Sequence, residues 1–557
     1  MKLFKLLLLF FVFSFIFRTD LSFDQDLGRH IKLGEIIWQT KEVPKTNLFS
    51  YTNPDFPFIN THWGFEVFVY LFNQSLGIQP LLFLKVLIFL FSVWLIIKTV
   101  PKENKVLLLP ISFVFLHVLR ERLEFRPEIF SFLFTSLTLY ILHKFQMSHD
   151  RRKYGTILFL PLIQLIWINT HIYFFIGFLL QAIFLLHLGY QQIRSHSSSG
   201  KLKLLAIIFA LSVLVSLINP NGLSGLLYPL NVKANYGYTI VENQTMFLLE
   251  NINFRDPNFL FVKTSLGIIL ISIIIVILNA VKNLKIKPRD PSLIAQDDRL
   301  KNILLALSGA VLALLNVRSF PYLVFLSLPA VLQNFGLIKR NIFFSFLSLV
   351  TCALLLLESY LYLNGDYYKY TTSSHTVDLS FTQSVKGGMD FILANNLPGP
   401  IYNNFDIGSY IIYRGYPKYK VFVDGRPEGY PASFFTDIYI PTQYDFEKFK
   451  KLEEKYKFKT IIFSHTDQTP WGKAFLGNVV KDESWKIVYI DDFMLVLTKD
   501  GQGIDLSKLS PNSYNFKNSL SYLRLGIFLV NNGFTDSGNP FIYKAKDILP
   551  LTNKFFW

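Results

Sequence analysis

The chain begins with a hydrophobic run from Leu3 to Phe17 and soon afterwards reads Phe23-Asp24-Gln25-Asp26-Leu27-Gly28-Arg29-His30. We interpret the run as a retained first transmembrane span, because no small-residue cleavage site follows it. Carboxylates are costly to keep near hydrocarbon, so Asp24 and Asp26 at the rim of a span indicate a functional site. This order, an apolar span and then an acidic motif, sets the expectations for the rest of the chain.

The composition is that of an integral membrane protein. Of the 557 residues, 51% are hydrophobic and 17% are charged, and the mean hydropathy is +0.35, which is more apolar than a soluble protein of this size requires. The single cysteine, Cys352, excludes an intramolecular disulfide. The net charge of +16 comes largely from short loops between apolar segments. There it sets membrane orientation, so we predict no nucleic-acid partner.

Apolar windows predict a polytopic α-helical membrane protein with about eleven transmembrane helices. They fall at 3–17, 80–98, 105–119, 127–143, 156–169, 171–190, 203–219, 259–281, 301–316, 320–335 and 342–362. Several are short for a hydrocarbon core of ~30 Å.

Basic residues concentrate in alternate loops, which predicts the orientation. These loops are Lys98–Lys105, Lys144–Lys153, Arg194–Lys203, Lys282–Arg289 and Lys339–Arg340. If they face the cytoplasm, the N-terminus is cytoplasmic, and an odd number of spans places the C-terminal region outside. We therefore expect a protein of the bacterial plasma (inner) membrane with a periplasmic or extracellular C-terminal domain.

The domain organisation follows from a change in character near residue 363. We predict a transmembrane domain over 1–362, with 18–79 as a first outer loop carrying interfacial helices. A soluble α/β domain over 363–504 and a helical tail over 505–557 follow. Strands are predicted at Pro400–Asn403, Lys420–Asp424, Lys459–Ser464, Trp485–Ile490 and Met494–Thr498, and tail helices at Phe516–Asn531 and Phe541–Leu549.

Asp26 and His30 are four residues apart, so a helix after the first span places them on one face. A carboxylate in a partly dehydrated pocket is a suitable general base for an acceptor hydroxyl. The alternative is a helix cap with surface acids. The position at the membrane rim favours catalysis by Asp26, with Asp24 second and His30 as a substrate contact.

His62 and Glu66 are also four residues apart, on an amphipathic helix predicted to lie along the outer face. With Asp24 and Asp26 they form a candidate site for Mg²⁺ or Mn²⁺ bridging to phosphate. The alternatives are acceptor positioning and ordinary packing. No tight ligand motif is present, and a metal-independent mechanism is favoured.

Arginine side chains supply candidate phosphate ligands. Arg122 and Arg126 lie in a charged connection between two spans, and Arg318 lies between two later spans. Guanidinium groups bind phosphate oxygens in fork geometry, whereas the alternative is anchoring to lipid headgroups.

Other polar residues occur where apolar runs end. Asn169 and His171 are candidate sugar contacts, or they satisfy backbone groups at helix ends. The turn at Asn219 is more typical of a structural role. Beyond the membrane segments, the turn Asp424-Gly425-Arg426 could recognise a saccharide, although a salt-bridged structural turn is favoured.

The chain resembles the GT-C superfamily of polytopic glycosyltransferases, which use polyprenyl-phosphate sugars. Within it, a bacterial group is similar in its motifs: Asp-x-Asp-Leu-x-x-His (24–30), Phe-Ser-Tyr (49–51), Arg-Pro-Glu (126–128), Trp-x-Asn-x-His (167–171), Asn-Pro-x-Gly (219–222) and Val-Phe-x-Asp-Gly-Arg (421–426). The resemblance implies that Asp26, and after it Asp24, is the catalytic base or metal contact. Leu27 stands where the mannosyltransferase subgroup has Glu.

We therefore expect an inverting, GT-C-type membrane glycosyltransferase acting at the outer face. It would transfer a sugar from a polyprenyl-phosphate donor to an envelope glycan, lipid or protein. Two other interpretations stay open. A transporter or flippase of lipid-linked glycans should show repeat symmetry and ionisable groups at mid-membrane, and neither is seen. A non-catalytic envelope assembly factor should tolerate loss of Asp24 and Asp26 but not of the Asp424 turn.

Overall fold

A computed structural model describes residues 2–100, 107–148, 150–195, 200–231, 236–254, 256–284, 298–336, 342–371, 373–516 and 518–548. The chain divides into two compact units. Unit 1 comprises Met1–Phe17, Pro80–Pro229 and Thr239–Leu363, whereas unit 2 comprises Arg18–Gln79, Leu230–Tyr238 and Asn364–Trp557.

Unit 1 is built from helices rich in Leu, Ile and Phe. Its longer helices are Lys2–Ile16, Pro80–Lys98, Leu108–His117, Glu128–Met147, Phe159–Ile168, Phe175–Ser195, Gly200–Val215, Gly222–Asn231, Asn258–Leu284, Arg299–Leu315, Leu328–Phe335 and Ile342–Leu363. In the described part of the chain, four candidate spans are long and apolar enough to cross a membrane: Pro80–Lys98, Ile172–Arg194, Asn258–Asn279 and Ile342–Leu363. The polytopic helical class is supported, and the number of about eleven spans stays a prediction.

The predicted basic loops fall partly outside the described residues. The residues of these loops that lie outside the described part of the chain are Lys102, Lys105, Lys285, Lys287, Arg289, Lys339 and Arg340. The orientation inferred from these loops therefore stays a prediction.

The segment that carries Arg318 is an irregular helix. It begins with the 3₁₀ turn Val317–Ser319, continues through Phe320–Tyr322 and the π-turn Leu323–Ser327, and ends in the helix Leu328–Phe335. The Asn316 side chain caps its start by accepting the Ser319 N–H at 2.9 Å. This cap fixes the turn on which Arg318 is presented.

Unit 2 contains a four-stranded sheet. The strands are β1 (Ile401–Asn403), β2 (Thr460–Ser464), β3 (Lys486–Ile490) and β4 (Met494–Thr498), in the order β1-β2-β4-β3. β1 and β2 are parallel, and the other two pairs are antiparallel. These four strands confirm the sequence prediction to within one residue.

The fifth predicted strand, Lys420–Asp424, is wrong. Val421 forms only an isolated bridge with Ser50. The Asn403 side chain donates to the Val423 carbonyl at 2.8 Å and accepts the Phe422 N–H at 2.9 Å. A side chain therefore satisfies backbone groups that a neighbouring strand would otherwise pair, and the segment stays extended outside the sheet.

The helices of unit 2 come from both ends of the chain. They are Gly28–Thr40, Trp63–Leu76, Asp366–Tyr370, Lys386–Ala394, Gly408–Gly415, Ile440–Tyr444, Phe446–Tyr456, Pro470–Val479, Ser519–Asn531 and Thr535–Ile548. The first two pack closely, because a methyl group at Gly34 would lie 2.0 Å from the Glu66 carbonyl oxygen. Glycine at position 34 therefore allows the two helices to meet.

The C-terminal helices pack on each other and on the sheet. A methyl group at Gly526 would lie 3.0 Å from the Gly538 carbonyl oxygen. Leu525 and Phe541 share a buried core with β2 residues such as Phe463. In packing terms, the predicted tail and the predicted outer loop 18–79 both belong to unit 2, and the functional division into domains stays a prediction.

Candidate functional site

The acidic motif lies on a π-turn, Phe23–Leu27, that runs directly into the helix Gly28–Thr40. The helix predicted after the first span is thus present. π-Turns inside helices occur frequently at functional sites, since the wider turn redirects side chains. A methyl group at Gly28 would lie 3.2 Å from the Ser409 carbonyl oxygen, and the Arg29 N–H donates to Ser409 Oγ at 3.0 Å. The acidic turn is therefore held against the helix Gly408–Gly415.

Asp24 is buried and holds the turn to a second helix. Its Oδ2 accepts the Ser384 N–H at 2.7 Å, just before the helix Lys386–Ala394. Burial raises the pKa of Asp24 to about 7, although backbone hydrogen bonds from Ser384 and Val385 oppose the shift. This geometry is that of a carboxylate at a helix start, so it favours a structural role for Asp24.

Asp26 is more accessible, with a quarter of its side chain exposed. Arg29 Nη2 lies 3.4 Å from Asp26 Oδ1, and a methyl group at Gly425 would lie 4.0 Å from the same oxygen. Burial raises the pKa of Asp406 to about 7, and the negative charges of Asp467 and Asp26 add to this shift. Asp26 therefore lies in acidic, solvent-accessible surroundings where a base can meet a ligand.

His30 and Glu66 form a buried pair, with His30 Nδ1 and Glu66 Oε1 3.0 Å apart. Asn60 Nδ2 donates to Glu66 Oε2 at 2.6 Å, and Asn60 Oδ1 accepts the His62 N–H at 2.8 Å. Burial and the nearby Arg29 lower the pKa of His30, against the opposing effect of Glu66. A neutral His30 then donates through Nδ1, and the network fixes its ring beside Asp26.

The rings of His30 and His62 also meet edge to face, with centroids 5.8 Å apart. Unit 2 thus brings together five predicted site residues: Asp24, Asp26, His30, His62 and Glu66. The contacts of His30, His62 and Glu66 include contacts to one another and to Asn60, which is consistent with positioning the acidic turn.

The Asp424 turn is a closed ion pair. Arg426 donates through Nε and Nη2 to the two Asp424 oxygens, each at 2.7 Å. Tyr430 Oη donates to Asp424 Oδ2 at 3.1 Å. Arg426 Nη2 also donates to Asn47 Oδ1 at 2.7 Å. Although burial opposes ionisation, Arg426 keeps the pKa of Asp424 below its ordinary value. These contacts agree with the structural interpretation of this turn.

In unit 1, three predicted phosphate ligands converge on one carboxylate. Arg122 Nη1 lies 2.6 Å from Glu242 Oε1, Arg126 Nη1 lies 3.3 Å from the same oxygen, and Arg318 Nη2 lies 3.2 Å from Glu242 Oε2. Arg122 also pairs with the buried Glu128. We call Arg122, Arg126 and Arg318 the arginine cluster.

Glu242 is a residue that the sequence interpretation missed. Burial opposes its ionisation, but Arg122, Arg126 and Arg318 keep its pKa well below the ordinary value. It lies on the 3₁₀ turn Val241–Asn243, and the next residue, Gln244, accepts the Val317 N–H at 3.0 Å. The sequence signal was weak: Glu242 is one of three acids in the loop 220–258, with Glu250 and Asp256, and this loop was predicted to face the same side as the arginines.

The structure gives Asn169 and His171 local partners. Asn169 Nδ2 donates to the Leu165 and Ile218 carbonyls, at 2.8 Å and 3.0 Å. His171 Nδ1 lies 2.7 Å from Ser131 Oγ, and its ring stacks on Tyr173 with centroids 5.3 Å apart. Asn219 donates to the Ser216 and Gly222 carbonyls within its own turn, as predicted.

The described residues do not fit a divalent-metal site. Among them, no group of three or more His, Cys, Asp or Glu side chains could hold a metal ion. One Asp24 oxygen is already bound by the Ser384 N–H.

Comparisons with known proteins reveal a similarity of fold to a solved structure. No protein-family model and no curated protein sequence matches the chain. A similar solved structure is the archaeal oligosaccharyltransferase AglB from Archaeoglobus fulgidus, in complex with an inhibitory peptide and a dolichol-phosphate. The TM-score is 0.52 at 12% identity, covering 85% of this chain and 71% of AglB. The chain therefore shares the fold of this oligosaccharyltransferase structure, and its apolar helices are those of an integral membrane protein.

Proposed function

We propose that the protein is an inverting membrane glycosyltransferase that uses a polyprenyl-phosphate-linked sugar donor. The acceptor is an envelope glycan, lipid or protein at the outer face of the bacterial plasma membrane. The observation that carries this proposal is the arginine cluster, since three guanidinium groups meet at one point, an arrangement suited to binding phosphate oxygens. The acidic turn and the GT-C-like fold add support.

In the proposed reaction, Asp26 is the general base. It accepts the proton of the acceptor nucleophile as that atom forms a bond to the anomeric carbon of the sugar. The bond from this carbon to the phosphate oxygen breaks, and the polyprenyl phosphate leaves with the electron pair. Attack opposite the leaving group inverts the anomeric configuration.

The remaining residues position the reactants. Arg122, Arg126 and Arg318 hold the phosphate and stabilise the charge that it gains on leaving. His30 and Glu66 orient the acidic turn, and His62 lies beside them. The local hydrogen bonds of Asn169 and His171 favour shaping the helix ends over direct contact with the sugar. The proposal needs no metal, because a phosphate leaving group departs readily once it is oriented.

The test replaces Asp26 with Asn, which keeps the shape of the side chain and removes its basicity. Membranes carrying Asp26→Asn should lose about 10²- to 10⁴-fold in sugar transfer, the usual contribution of a general base. Asp55→Asn is the matched control, since Asp55 is exposed on the same segment of the chain.

Full activity in Asp26→Asn would reject the role of this residue. Mass spectrometry of envelope glycans from a deletion strain tests the reaction class independently. Unchanged glycans would reject glycosyl transfer, and accumulation of donor in the inner leaflet would favour a flippase instead.

A further inference from the structure

Glu242 occupies the point where an anionic ligand of the arginine cluster would bind. Both of its carboxylate oxygens face guanidinium nitrogens, Oε1 at 2.6 Å from Arg122 and Oε2 at 3.2 Å from Arg318. Nearly a third of the Glu242 side chain is exposed, so it can leave the cluster toward solvent.

The geometry shows that one carboxylate serves several guanidinium groups. Glu242 is shared by Arg122, Arg126 and Arg318, and Arg122 also pairs with Glu128. Each guanidinium offers five N–H donors in a fixed plane, far more than two carboxylates accept.

Two donors within the cluster are also left over. The Nε groups of Arg122 and Arg318 are buried and have no hydrogen-bond partner among the described residues. Buried unpaired donors are costly and rare in folded proteins. A ligand with more acceptor oxygens and more charge than a carboxylate would use them.

We propose that Glu242 is an internal counter-ion of the arginine cluster, and that a phosphate monoester displaces it. A monoester carries about −1.5 to −2 charges at neutral pH and has three strong acceptor oxygens. It matches the leftover Nε donors of Arg122 and Arg318 better than Glu242 does. This inference rests on the proposed function in one respect, namely that the monoester is the polyprenyl phosphate released by transfer.

The exchange also gives the cluster a selectivity. A phosphodiester, such as the sugar donor or a phospholipid headgroup, carries a single negative charge. When it replaces the singly charged Glu242 carboxylate, the negative charge held by the arginine cluster does not increase. The monoester gains charge, so the cluster binds the leaving group more tightly than the donor. When the Glu242 side chain returns, it competes with the monoester and assists its release.

The experiment measures binding to the full chain in lipid nanodiscs by isothermal titration calorimetry, with farnesyl monophosphate as the probe. An internal competitor that occupies its site more than nine-tenths of the time weakens apparent affinity about tenfold. Glu242→Gln should therefore tighten binding about tenfold. The matched control is Glu250→Gln, because Glu250 forms an exposed ion pair with Lys263 at 2.6 Å. The affinity of this variant for farnesyl monophosphate should equal that of the wild type.

Two further probes identify the source of the phosphate. Inorganic phosphate tests a free anion, and nanodiscs of phosphatidylglycerol test a headgroup. The inference holds if Glu242→Gln tightens binding of a monoester or of inorganic phosphate. It is overturned if affinity for both is unchanged or weaker, or if only phosphatidylglycerol binding improves.

A second measurement needs no variant and covers the case in which Glu242→Gln does not fold. Hydrogen exchange of wild-type peptides spanning 239–246 should accelerate when farnesyl monophosphate is added, since Glu242 leaves the cluster. Unchanged or slower exchange overturns the proposal. Neither readout requires sugar transfer. If Glu242→Gln binds the monoester more tightly while Asp26→Asn retains full transfer activity, Asp26 is rejected as the base and the inference about Glu242 still holds.

Discussion

The Arg426–Asp424 ion pair of unit 2 and the arginine cluster of unit 1 both join guanidinium groups to buried or partly buried carboxylates, but they differ in how completely their hydrogen-bond donors are used. Arg426 meets one carboxylate in fork geometry, with Asn47 and Tyr430 completing the contacts. In the arginine cluster, Glu242 is shared by three guanidinium groups. A saturated pair is suited to holding a fold, whereas an unsaturated cluster is suited to binding a ligand.

Replacing Arg426 with Met gives the largest expected loss of stability. The Arg426 and Asp424 side chains are almost fully buried, and removing one partner leaves a buried charge uncompensated. We expect the free energy of unfolding to fall by about 3–5 kcal/mol, measured by chemical denaturation in micelles. The control Arg414→Met breaks a more exposed pair with Asp390 and should cost less than about 1 kcal/mol. Equal costs would contradict the distinction between saturated and exposed pairs.

The pH dependence of stability in Asp24→Asn tests whether Asp24 is a structural carboxylate, distinct from the proposed base Asp26. The folded-state pKa of Asp24 is raised to about 7, so the folded protein holds this proton more tightly than the unfolded chain. Its contribution to stability is present below the unfolded pKa of about 4 and is lost as pH rises through 7.

Asp24→Asn should therefore raise the thermal midpoint at pH 8 relative to wild type, with little difference at pH 4. Sugar transfer should be largely retained, unlike in Asp26→Asn. A midpoint difference that does not change with pH, or a loss of transfer equal to that of Asp26→Asn, would contradict the assignment.

Arg126→Gln should have the smallest effect on stability. Arg126 makes the longer contacts to Glu242, at 3.3 Å and 3.5 Å, and Arg122 and Arg318 remain beside this carboxylate. We expect a smaller fall in the free energy of unfolding than for Arg122→Gln, together with weaker binding of farnesyl monophosphate. Arg122→Gln is the comparison, because it leaves the buried Glu128 without its partner. If Arg126→Gln destabilises the protein as much as Arg122→Gln does, all three arginines of the cluster serve to stabilise the fold.

Sequence patterns predicted much of the fold because they are local. The four strands of unit 2 alternate with helices and turns over short distances, and their boundaries were predicted to within one residue. The strand at Lys420–Asp424 was wrong because its composition is that of a strand, yet the Asn403 side chain satisfies its backbone groups. Competition of that kind depends on a contact from another part of the chain.

The candidate site was predictable in its residue types but not in its pairing. The position of Asp24 and Asp26 after the first span identified both as candidates. Only the structure distinguishes them, because Asp24 accepts the Ser384 N–H, 360 residues away, whereas Asp26 remains partly exposed. Glu242 was missed since nothing in its local sequence marks its three arginine partners.

By itself, the sequence determined that this chain belongs in a membrane and where its candidate acids and arginines fall along it. Hydrophobic runs and turn residues act over a few positions, and the free energy of transferring a segment into lipid depends on its own composition. The tertiary structure decided which charges are saturated and which remain able to bind a ligand. That distinction depends on burial and on donors supplied by distant segments, which become neighbours only when the chain folds.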